Sequence, residues 1–111
     1  MVVTLFRSRL RPEFVDEYRP LASEMLDLAR TMPGFRSFKS FSADDGERIS
    51  IIEFDSLPQL EAWRDHPQHR RAQRLGRERF YAEYQLQVCG EIRAYSFAGG
   101  RRRERDVEPA A

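Results

Sequence analysis

FRSFKSFSADDGERISIIEF, residues 35–54, decides the fold. Two runs rich in Phe and Ile flank the polar stretch ADDG, residues 43–46. Aromatic and β-branched residues favour strands. Asp45-Gly46 is a hairpin turn signal, because Gly takes the positive φ that such turns demand. Residues 35–42 and 47–54 therefore read as two antiparallel strands. In the second of them, Ile49, Ile51, Ile52 and Phe54 place apolar groups at odd and even positions. Alternate side chains point to opposite faces, so both faces of this strand need cover.

Upstream, Pro33-Gly34 ends a helix that opens near Pro12 and Glu13 and runs to about Met32. Phe14, Tyr18, Leu21, Ala22, Met25, Leu28, Ala29 and Met32 keep the three-four spacing of one buried stripe. Pro20 interrupts the pattern and predicts a kink or break near Tyr18 and Arg19. VVTLFRSRL, residues 2–10, is a first strand, apolar on both faces in its first half. Downstream, DSLPQLEAWRDH opens a helix with Asp55 or Ser56 as its cap and Pro58 in its first turn. Pro67 forces a fresh start, with His66 as the cap of a further helix from Gln68 to about Ala82. YQLQVCGEIRAYSF, residues 84–97, reads as one long last strand with a bulge at Gly90. GGRRRERDVEPAA, residues 99–111, has no periodicity and reads as a flexible tail after a domain of residues 1–98.

Strand, helix, strand, strand, broken helix, strand is the order of an α+β, ferredoxin-like split βαβ fold. Its four-stranded antiparallel sheet carries helices on one face only. The double-sided strands then leave an apolar second face, which calls for a partner sheet. The simplest source is another copy of the chain, giving a homodimer.

Composition narrows the function. The chain has 111 residues, 41% hydrophobic and 33% charged, which fits one small globular domain. Nineteen basic and eighteen acidic groups, less four Arg and three acids in residues 99–111, leave fifteen of each in the body. No global field points to nucleic acid as a partner. One cysteine, Cys89, excludes an internal disulfide framework. MVVTLFRSRL lacks the basic start of a signal peptide, and no apolar run approaches the roughly 18 residues of a membrane span. The expectation is a cytoplasmic protein that does not enter a membrane.

The FRSRL strand followed by PEF, the MPGF turn, and the block IIEFDSLPQLEAWRDHPQHRRAQRLGRERFYAEYQLQVC carry a family resemblance. Over residues 1 to about 97 the chain resembles the antibiotic biosynthesis monooxygenase (ABM) family of the dimeric α+β barrel superfamily. The resemblance implies two ferredoxin-like protomers joined through their sheets, with a ligand pocket in each between sheet and helices. It implies a cofactor-free monooxygenase acting on a small, electron-rich, quinol- or anthrone-like aromatic. Other members imply two alternatives: a non-catalytic dimeric ligand-binding or stress-associated protein, and a haem-degrading oxygenase. Fold follows from such a likeness with more force than function.

AWRDHPQHRRAQ, residues 62–73, holds both histidines of the chain. A zinc site needs three or four protein ligands, and Pro67 breaks the helix between His66 and His69, so no metal is expected. The resemblance places Trp63 where the haem-degrading branch has a Trp. It also places Gln73 where that branch has its axial His, and Phe6 where it has an Asn. An amide is a poor iron ligand beside imidazole, so weak or no haem binding is expected, with His69, four residues earlier and about one helical turn away, as the alternative ligand. The reading is then His69 as catalytic base, with Trp63, Phe6, Gln73 and Tyr81 around the substrate and no cofactor. His66 is structural. Glu53 is expected to pair with Arg7 or Arg9, Cys89 to be a small buried hydrophobe, and Arg70, Arg71, Arg74, Arg77 and Arg79 to form a solvated face.

Overall fold

A computed structural model describes residues 1–106 of the chain. Its centre is the expected hairpin: β2 (Phe35–Ser42) pairs antiparallel with β3 (Arg48–Phe54). Gly46, at φ 90°, makes the turn, and its N–H donates to the Ala43 carbonyl at 3.0 Å. β3 continues the sheet into β1 (Val2–Leu10), and β1 into β4 (Tyr81–Gly90). Strand order is β2-β3-β1-β4, all antiparallel. With α1 (Val15–Thr31), α2 (Leu57–Arg64) and α3 (Pro67–Leu75) this is the ferredoxin-like α+β fold. α1 packs over β2 and α2 over β3.

Register decides what faces the helices. Thr4 opposes Ile52, Val2 opposes Phe54, and Phe38 opposes Ile52 from the other side. Paired residues share a face, so Val2, Thr4, Phe6, Phe38, Ile52 and Phe54 look toward the helices. Ala29, Ile52, Phe54, Leu60 and Trp63 form the buried core, with Val2, Phe6, Leu28, Met32, Phe35 and Phe38 packed on it. Phe54 has no exposed surface at all. The opposite face carries Val3, Leu5, Ile49 and Ile51, all half-buried, with Phe41 exposed at its edge.

The structure corrects several expectations. α1 runs unbroken through Pro20. Pro20 lies early in the helix and on its exposed side, so the lost N–H costs one bond near an end whose other side is packed. The helix after Pro67 stops at Leu75; a π-helical turn, Gly76–Phe80, leads into β4 at Tyr81. The last strand is two strands. β4 ends at Gly90, and β5 (Arg93–Ala98) belongs to a separate two-stranded sheet with β6 (Arg101–Asp106). Part of the expected tail is thus a paired strand, while residues 107–111 lie outside the described residues. Alternation was hidden in β6 because RRRERD is polar on both faces. Glu53 does not pair with an Arg: it accepts from the Ser37 hydroxyl, while Arg7 pairs with Glu47 and Arg9 with Asp45 and Glu83. Cys89 is exposed, because it points away from the helices on an edge strand.

Phe54 supports both the sheet and the helix layer. Phe54→Ala should cost about 3–5 kcal/mol, the range for emptying a buried Phe site, read from the urea midpoint. A loss below about 1 kcal/mol would show that the core does not rest on this ring.

Candidate functional site

Trp63 and His69 are brought together by the break at Pro67. The Ser56 hydroxyl accepts from Gln59 N–H at 3.4 Å and starts α2, which carries Trp63 into the core. The chain turns at Asp65 and His66. His66 caps α3 as expected, its Nδ1 accepting from Gln68 N–H at 3.2 Å. The new axis returns His69 over Trp63, with ring centroids 4.1 Å apart and planes 29° apart. Trp63 also stacks on Phe54 at 5.8 Å and meets the edge of Phe38 at 6.1 Å. Its indole Nε1 is buried and has no hydrogen-bond partner among the described residues. A buried donor left unmet costs roughly 1–3 kcal/mol.

His69 Nδ1 lies 3.2 Å from the Trp63 carbonyl. A carbonyl only accepts, so Nδ1 carries the proton and Nε2 keeps its lone pair. Burial pushes the His69 pKa below its ordinary value, against the Trp63 carbonyl, which favours the proton. The neighbouring His66 lowers it further. His69 is therefore a neutral imidazole with a free acceptor nitrogen at neutral pH.

Phe6 and Tyr81 form a second cluster. Their ring centroids are 5.4 Å apart, and Tyr84 lies 5.5 Å from Phe6 and 5.7 Å from Tyr81. Tyr81 Oη donates to Tyr18 Oη at 3.1 Å. Burial, then the Tyr18 hydroxyl, hold the Tyr81 phenol protonated far above the usual range. The Arg48 guanidinium lies 5.5 Å from the Tyr18 ring centre. Gly76 admits this arrangement: a Cβ there would sit 2.5 Å from the Tyr81 ring. Tyr18 was missed by sequence reading, since its helical spacing matched a core stripe. Gln73 joins neither cluster; its amide donates to the Arg64 carbonyl at 3.0 Å and ties α3 to the end of α2.

The two histidines spend Nδ1 locally, and Gln73 is turned to Arg64. The position where the resemblance puts an axial ligand is thus an amide that donates to the Arg64 carbonyl. Of the arginines, Arg70 pairs with Asp65 at 3.5 Å and Arg79 with Glu17 at 2.8 Å, both exposed. Cavities open elsewhere. One of about 210 Å³ is lined by Arg7, Ser8, Glu47, Glu83, Tyr84 and Gln85, and one of about 320 Å³ by Ser96, Ala98, Arg101 and Arg103.

A four-stranded antiparallel sheet with a helix layer on one face and two aromatic clusters defines a ferredoxin-like α+β protein. The chain belongs to the antibiotic biosynthesis monooxygenase family, whose model matches residues 1–75. It is 32% identical over 82 residues to the uncharacterized protein YqjZ of Bacillus subtilis, covering 74% of this chain and 72% of that one. Rv0793 of Mycobacterium tuberculosis superimposes with a TM-score of 0.73 at 22% identity, covering 82% of this chain and 94% of its own. A Deinococcus radiodurans protein gives 0.78 at 14% identity, covering 89% and 100%. These two structures share the fold.

The depressed His69 pKa fixes a sign. Between the folded and unfolded values the unfolded chain binds the extra proton. The His69 contribution is whole above about pH 6.5, the unfolded value. It is lost as pH falls toward the folded value. NMR titration should show the His69 ring protonating below pH 6.5, and a higher midpoint would contradict the stacked geometry. Gly76→Ala should displace Tyr81 and cost about 1–3 kcal/mol, the scale of overpacking. Unchanged stability in urea would mean that the Tyr81 ring yields freely.

Proposed function

We propose that the protein is a cofactor-independent monooxygenase of a small, electron-rich, hydroxylated aromatic, working as a homodimer. The observation that carries this reading is the buried Trp63 indole N–H, without a hydrogen-bond partner among the described residues, in a ring stacked on the neutral His69 imidazole. One group donates a hydrogen bond and the other accepts a proton. A phenolic or enolic oxygen of a planar substrate meets both needs at once.

His69 Nε2 takes the hydroxyl proton. Trp63 Nε1 donates to the oxygen left behind and stabilises the anion. The anion passes one electron to dioxygen, the two radicals combine at carbon, and water leaves. For an anthrone-like methylene the balance is CH2 plus O2 to C=O plus H2O. The substrate supplies all four electrons, so no outside reductant is needed. Phe6 and Tyr81 supply apolar wall further along the layer, and a dry surround protects the intermediate. Gln73 serves by holding α3 against α2.

The homodimer is proposed through the sheet face of Val3, Leu5, Ile49 and Ile51. No helix among the described residues is long and apolar enough to cross a membrane. A cytoplasmic location suits a chain with one thiol, Cys89, and so no internal disulfide.

Oxygen uptake with naphthoquinols and anthrones tests the reading. His69→Ala should lose roughly 10²-fold or more in rate, the scale of a general base. His66→Ala should lose about 1 kcal/mol of stability, the scale of a helix cap, and little rate. Equal small effects would move the base elsewhere. Ligand binding without oxygen uptake would select the non-catalytic ligand-binding reading.

A further inference from the structure

β4 is apolar on a face that is left exposed among the described residues. Tyr84, Leu86 and Val88 oppose Ser8, Phe6 and Thr4 and share the face that looks toward the helices. Yet the helices pack over β2 and β3, and these three side chains are 43%, 52% and 45% exposed. Beyond β4 the chain enters the β5–β6 hairpin, whose root is held by Glu91 N–H donating to the Met1 carbonyl at 3.0 Å. This arm lengthens the molecule: the radius of gyration is 15.5 Å, against about 13 Å for a compact domain of this length.

The arm has two unlike faces. Register puts Tyr95 and Phe97 with Arg102 and Glu104 on one, and Ala94, Ser96 and Ala98 with Arg101 and Arg103 on the other. Tyr95 is 63% and Phe97 72% exposed, and Ile92 at the root is 66% exposed. A two-stranded hairpin alone is marginal in water, and large apolar side chains gathered on one face mark an interface.

We propose that the β5–β6 arm of one chain docks on β4 of a second copy, laying Tyr95 and Phe97 over Tyr84, Leu86 and Val88. Tyr84 touches both Phe6 and Tyr81, so the arm becomes the outer wall of the second copy's aromatic cluster. The site is then closed in trans. This inference rests on the homodimer reading above.

A second copy is the occupant because one chain carries both halves. Each copy offers one arm and one β4 face, so a two-fold axis satisfies both contacts together. Among the described residues β4 pairs only with β1 and β5 only with β6, which leaves an edge of each without a partner strand there. Tyr84, Leu86, Val88, Ile92, Tyr95 and Phe97 together expose roughly 600 Å² per chain, against about 800 Å² per partner in a standard interface. The sheet face supplies the remainder, and the arm continues from the edge of that same sheet.

The test uses the full chain with Cys89→Ser, which removes its one thiol. Leu86→Cys and Phe97→Cys chains are co-expressed and mildly oxidised. A band of twice the chain mass on a non-reducing gel, needing both cysteines, is expected. Tyr95→Ser with Phe97→Ser should raise the dimer dissociation constant at least roughly tenfold by sedimentation. Circular dichroism reports whether the four-stranded domain stays folded in that variant. A dimer that neither cross-links nor weakens overturns the arm contact and leaves the homodimer standing. A folded monomer at micromolar concentration in the parent overturns both.

Discussion

The stacking of Trp63 on Phe54 and His69 is the contact on which the rest depends. Phe54 anchors it to the centre of the sheet, and His69 anchors it to the start of α3. The chain between Trp63 and His69 must therefore reverse within a few residues. Pro67 makes that reversal by refusing the helical conformation to His66. Once the reversal is made, His69 Nδ1 meets the Trp63 carbonyl, and its other nitrogen is left with a lone pair. Geometry set by packing thus fixes the tautomer, and burial fixes the charge state. The proposed chemistry rests on a core contact rather than on a separate catalytic loop.

Electrostatics plays a lesser part. Arg9 with Asp45 and Glu83, Arg7 with Glu47, and Arg79 with Glu17 tie neighbouring elements together, but each pair is solvent-exposed and worth little alone. The Arg79 guanidinium also lies over the Phe14 ring at 4.4 Å, a cation–π contact that ties the turn before β4 to the turn before α1. The body of the protein is held by apolar contact, with the ion pairs setting its outer face.

The sheet was legible because its signals are local. Asp45-Gly46 marked the hairpin, Pro33-Gly34 the end of α1, Asp55 or Ser56 the start of α2 and His66 that of α3. What sequence could not show was where the last strand stops belonging to the main sheet. YQLQVCGEIRAYSF is strand-like throughout, and the parting at Glu91 and Ile92 depends on where β1 runs out of partners at Val2. β6 was hidden because a strand polar on both faces leaves no alternation to read. Trp63 and His69 were nominated from the sequence, but their stacking was not, since it depends on the angle between two helices. Tyr18 was absorbed into the helix stripe, and only the fold placed its hydroxyl against Tyr81. Gln73 was nominated by its position alone, and its amide points to the Arg64 carbonyl.

The central claim is that the unpartnered indole N–H of Trp63 and the free nitrogen of His69 receive the same ligand oxygen. Trp63 is the one tryptophan in the chain, so fluorescence excited beyond the absorption of its four tyrosines reports this place alone. Titration with a planar hydroxylated aromatic in the absence of oxygen should quench the Trp63 emission saturably. The corresponding hydrocarbon, which lacks the oxygen, should quench it only at much higher concentration. Equal quenching by both compounds, or none by either, would contradict the account.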